Sequence, residues 1–83
     1  MQQDLTFQSV RVGIGREAAD GRLVFFKGML LAVLVRLCGA HYGAMESRWF
    51  LEAGFGPCAE IHPLPFETLE DAGLWIGEVG GSG

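Results

Sequence analysis

Apolar and polar positions alternate from Phe7 to Ile14, with Val10, Val12 and Ile14 on one side and Ser9, Arg11 and Gly13 on the other. A period of two predicts a strand buried on one face. The following stretch, GREAADG (residues 15–21), reads as a loop closed by Asp20-Gly21, a dipeptide that favours tight turns. The next run, RLVFFKGMLLAVLVRL, predicts a hairpin that turns at Lys27-Gly28, where Gly28 supplies the positive φ of a two-residue turn. Leu30, Leu31, Leu34 and Cys38 also fit a helical stripe. Two β-branched valines, a glycine at the start and no capping residue favour a strand there.

GAHYGAMES (39–47) is a loop punctuated by glycine, and RWFLEAGF (48–55) alternates again. Trp49, Leu51, Ala53 and Phe55 share one side of that strand; Arg48, Phe50 and Glu52 share the other. GPCAEIHPLP holds three prolines, which excludes a central strand or a helix interior and predicts an extended crossing segment. TLEDAGLWIGEV (68–79) has the signs of a helix. Thr68 caps it, Glu70 and Asp71 suit the positive end of its dipole, and Leu69, Ala72, Ile76 and Val79 form one stripe. The reading is therefore α+β: a four-stranded antiparallel β-meander with one C-terminal α-helix packed on one sheet face. Residues 1–79 make a single small domain, and GGSG (80–83) a flexible tail.

The middle hairpin departs from simple alternation. With a two-residue turn and regular pairing, one face carries Val24, Phe26, Met29, Leu31 and Val33; the other carries Leu23, Phe25, Leu30, Ala32 and Leu34. Both faces are apolar. A helix of about twelve residues, ~18 Å long, covers one side of a small sheet. Strands that are apolar on both sides are normally buried on both. The expected cover for the second side is another copy of the chain, since twofold dimers are the commonest oligomers. Leu23, Phe25, Leu30, Ala32 and Leu34 are the expected interface. The function this predicts is a non-enzymatic protein-interaction or scaffold domain acting as a homodimer or on another protein; the alternative is a small ligand- or metal-binding regulatory protein.

Composition agrees with that direction. In 83 residues, 49% are apolar and the mean hydropathy is +0.28, more apolar surface than one small core needs. The net charge of −4 argues against nucleic acid as a partner, because neutralising phosphates requires a basic face. The longest apolar run, Met29 to Val35, is too short to span a bilayer, and MQQDLTF lacks the plan of a secretory signal. The expected setting is the cytoplasm, of a bacterial cell by the compact single-domain plan.

Candidate chemistry is sparse. Gly13-x-Gly15-x-x-Ala18 imitates a dinucleotide-binding turn, but that site needs a helix opening at the second glycine, and Asp20-Gly21 interrupts any helix after about one turn. No cofactor is expected. Cys38-x-x-His41 and Cys58-x-x-x-His62 have ligand-like spacing for zinc, yet the meander sets the two pairs near opposite ends of the sheet. Glu52 and His41 are the best acid–base pair available, and no nucleophile accompanies them. Arg11, Arg22 and Arg36 form a candidate basic strip, and Trp49, Phe50 and Phe55 near Arg48 imitate a base-stacking platform; core packing and solvated surface explain both sets more simply.

Overall fold

The computed structural model describes residues 4–81 and, within them, every side chain except those of Ile14, Ala40 and His41. Four strands, β1 (Leu5–Ile14), β2 (Glu17–Phe26), β3 (Met29–Arg36) and β4 (Trp49–Gly54), form one sheet in the order β1-β2-β3-β4. All three pairings are antiparallel, so the sheet is a meander, and the helix α1 (Leu69–Gly81) follows it.

The β2–β3 turn falls at Lys27-Gly28. Both residues have positive φ, 53° and 82°, as a primed type I turn requires. The β1–β2 turn differs from the expected loop. It is a two-residue connection at Gly15-Arg16, with Gly15 at φ 59°, between the paired Ile14 and Glu17. Residues 17–21 therefore belong to β2, and Asp20-Gly21 lies inside a strand. Asp20 is opposite Arg11 and accepts a 2.9 Å bond from Arg22, while Gly21 is where β1 side chains close over the β2 backbone. A turn-forming dipeptide is overridden here by cross-strand contacts.

Two irregularities decide which residues share a face. Val24 is opposite Ala32 but Phe25 is opposite Leu30, so Leu31 is an extra residue in β3. Val33 is opposite Ala53 but Leu34 is opposite Leu51, so Glu52 is an extra residue in β4. Each bulge reverses the alternation beyond it. Past the first one, Ala32 and Leu34 join Val24 on the side of α1, and Val33 and Val35 take the other side.

The core lies on that first side. Val24, Leu31, Ala32, Leu34, Trp49 and Leu51 from the sheet cluster with Cys58 and with Ala72 and Ile76 of α1. Leu69 and Val79 pack at its margin, which completes the stripe read from the sequence, and Trp75 joins them. The Thr68 hydroxyl accepts the Asp71 N–H at 3.0 Å, the expected cap. α1 runs through Gly81, past Val79, and Gly80 lies so close to the sheet that a Cβ there would stand 2.8 Å from Leu31 Cδ1. The proline-rich segment is not extended throughout: it opens with a 3-10 turn at Gly56–Cys58, continues without regular structure to Pro65, and Phe66 bridges to Trp49 at the outer edge of β4.

Candidate functional site: an open sheet face ending in a cleft

The side of the sheet away from α1 is apolar and incompletely covered. Leu23 opposite Val33 and Phe25 opposite Leu30 form two cross-strand rows, continued on β1 by Gln8 and Thr6. These four, and Val10 and Val12 that stand opposite Gly21 and Ala19 on the same face, are half-buried, with part of each surface left open. Such rows arise because LVFF and LLAVLV are apolar at every position, so both sides of the hairpin carry hydrophobic surface. The next row, Gly21 opposite Val35, is closed. Val35 is only 4% exposed, outside the main core.

At this closed end the sheet forms the wall of a cleft of about 950 Å3. Val35, Phe50 and Ala19 contribute from the strands, Leu37 and Cys38 from the chain leaving β3, and Tyr42 and Met45 from the 3-10 loop Ala40–Met45. Arg11, Arg36, Glu17, Asp20 and Glu52 complete much of the lining. Asp20 is engaged by Arg22, whose guanidinium carbon also lies 5.1 Å from the Trp49 ring centre. Among the described residues, Arg11, Arg36, Glu17 and Glu52 form no ion pair, and their charges cancel. The cleft is thus lined by both apolar and charged side chains, and its unpaired charges balance.

The five residues expected at an interface are divided by the bulge at Leu31. Leu23, Phe25 and Leu30 lie on the open face; Ala32 and Leu34 are fully buried on the helix side. Val33 replaces them on the open face, and Val35 leads into the cleft. A run apolar at every position contains no signal for such a shift.

The zinc candidates are not gathered. Cys58 is fully buried in the core, Cys38 and His62 are exposed, and the His41 side chain lies outside the described residues. No three His, Cys, Asp or Glu side chains come together as a metal group among the described residues. Burial raises the Cys58 thiol above its ordinary value. Glu52 is exposed at the cleft without a described histidine beside it. Of the three arginines, Arg22 turns to Asp20 and Trp49, and Arg11 and Arg36 line the cleft, so no basic strip forms. Trp49 is core, whereas Phe50 and Phe55 remain partly open. Gly15, central to the dinucleotide-like pattern, occupies a hairpin turn with no helix after it.

No family model, no curated protein and no solved structure matches this chain. Among the described residues no helix is long and apolar enough to cross a membrane. The described geometry is a partly open apolar sheet face with a cleft at one end.

Proposed function

We propose that the chain is a non-enzymatic interaction module that acts as a homodimer, joined through the sheet face turned away from α1. The observation that carries this reading is the pair of rows Leu23–Val33 and Phe25–Leu30, apolar and partly open on the side that α1 does not cover. A contiguous patch of large apolar side chains is characteristic of association surfaces. The molecule measures 36 × 23 × 22 Å. Both cysteines are free, in keeping with a reducing compartment, and we place the module in the cytoplasm, of a bacterial cell by its compact plan.

Light scattering on the purified chain tests the reading. The expected mass at micromolar concentration is twice 9.0 kDa, falling to 9.0 kDa in Leu23→Lys with the far-ultraviolet circular dichroism retained. A wild-type mass of one chain overturns it.

The cleft favours a second reading, a small ligand-binding regulatory protein, since its volume lies in the range of small-molecule pockets. A thermal-shift screen against metabolites and metals tests this. A specific ligand raises the melting temperature in a concentration-dependent way, and no response across the screen counts against it.

A further inference from the structure

The strands β2 and β3 separate where the cleft begins. Gly21 opposite Val35 is the last pair between them. Residues 17–20 of β2 are thus paired to β1 on one edge and, among the described residues, to no strand on the other. The cleft of about 950 Å3 occupies that gap. Consecutive residues of both chains line it, 17–20 and 35–38, so it borders strand edges rather than a single face of the sheet. The ladder fixes which backbone groups point into it. Lys27 N–H bonds the Asp4 carbonyl, and the β1–β2 register has no shift. Odd-numbered residues of β2 therefore turn their N–H and C=O toward β1, and even-numbered ones turn away. Ala18 and Asp20 aim backbone groups into the gap, and the Ala18 carbonyl accepts a long bond of 3.5 Å from the Arg11 guanidinium.

We infer that this gap takes an extended peptide segment of another protein as an added strand beside residues 17–20, with acidic side chains at alternate positions. The unpaired edge is about 13 Å long at ~3.3 Å per residue. Strand addition gives its outward backbone groups their missing partners. Side chains of an added strand alternate between the two sides of the sheet. On the α1 side they meet Arg11 and Arg36, which form no ion pair among the described residues, while Asp20 is neutralised by Arg22. On the open side they meet Val35 and Phe50, which stand opposite each other. Acidic and apolar residues in alternation match the two sides. Glu17 shares the open side with Leu23 and Phe25, away from both arginines. The inference is separate from the homodimer reading, because it uses a strand edge and not the rows of the open face.

Amide magnetic resonance of the full chain, titrated with a short capped peptide of alternating valine and glutamate, tests the inference. The Ala18 and Asp20 amide signals are expected to shift, and their hydrogen exchange to slow. Arg11→Gln and Arg36→Gln are each expected to weaken binding about three- to fivefold, the worth of an exposed ion pair. A peptide with lysine in place of glutamate is expected to bind more weakly still. Ala18→Pro removes an N–H that faces the gap and none that bonds β1, so the hairpin is retained and binding is lost. Should that variant fold poorly, a valine–glutamate peptide N-methylated at every residue makes the same test on the unaltered protein, and it is expected not to bind. Binding that survives both Ala18→Pro and backbone methylation makes the cleft a site for small acidic molecules and overturns the added strand. Equal affinity for the lysine peptide overturns the acidic preference. No response of Ala18 and Asp20 at millimolar peptide overturns the whole inference and leaves the homodimer reading, which light scattering tests, as it stands.

Discussion

Gly21 lies so close to Val12 that no side chain fits between them. A Cβ on Gly21 would stand 2.6 Å from Val12 Cγ2 and 3.1 Å from the carbonyl oxygen of Leu34. Val12 is β-branched and stiff, and the Leu34 oxygen belongs to the central ladder, so neither gives way freely. Gly21→Ala is expected to destabilise the chain by about 1–3 kcal/mol in urea titration, the cost of overpacking. Gly13→Ala is the control. Gly13 lies in β1 with nothing within 4 Å of an added Cβ, and its replacement is expected to be neutral or stabilising by up to about 1 kcal/mol.

The cap of α1 gives a second measurement. Thr68 Oγ1 accepts the Asp71 N–H at 3.0 Å and satisfies a donor that the first helical turn leaves unpaired. Thr68→Ala is expected to cost about 1 kcal/mol, and Thr68→Asp to retain most of the stability. Equal stability of wild type and Thr68→Ala would show that water replaces the cap without loss.

These two sites mark where the sequence is legible and where it is not. The helix was readable because its signals are local: a threonine, two acids in the first turn and a stripe at helical spacing. The Lys27-Gly28 turn was readable for the same reason. Asp20-Gly21 misled because its glycine answers to Val12 and Leu34, residues distant in sequence, rather than to backbone curvature. The bulge at Leu31 was hidden more thoroughly. In a strand apolar at every position, a shift of one residue leaves the hydrophobic pattern unchanged. The existence of a second apolar face thus followed from composition, while the identity of its residues, Val33 in place of Leu34, required the register. The cleft was out of reach because it depends on how the Ala40–Met45 loop folds back beside Val35 and Phe50.

At the outer edge of β4, Phe66 and Trp49 exchange two backbone hydrogen bonds of 2.7 Å, and the Phe66 ring lies 5.6 Å from that of Trp75. This bridge ties the far end of the proline-rich segment to both the sheet and α1, as Cys58 in the core ties its start. Phe66 is half-buried, so Phe66→Ala is expected to cost about 2 kcal/mol, less than the roughly 3–5 kcal/mol of a fully buried aromatic truncation. Near-ultraviolet circular dichroism of the two tryptophans should weaken in parallel. The neighbouring Arg48–Glu67 ion pair, 3.1 Å apart and exposed on the glutamate side, is expected to contribute less than about 1 kcal/mol when either partner is replaced by alanine.

The two cysteines should differ sharply in reactivity. Cys38 is exposed, and Cys58 is fully buried beneath α1 with its thiol pushed up by loss of hydration. A thiol-specific alkylating reagent at pH 8 is expected to label Cys38 quickly and Cys58 only as fast as the fold opens. The raised thiol also links stability to pH. Above pH 9.0, the ordinary value, Cys58 of the unfolded chain releases its proton while the folded chain retains it. The unfolded state then binds fewer protons, and stability falls as pH rises from the ordinary thiol value toward the raised one. Cys58→Ala removes that dependence, so the stability advantage of the wild type over the variant should shrink as pH rises above 9. A difference that stays constant across that range would show that the Cys58 thiol ionises alike in the folded and unfolded chain.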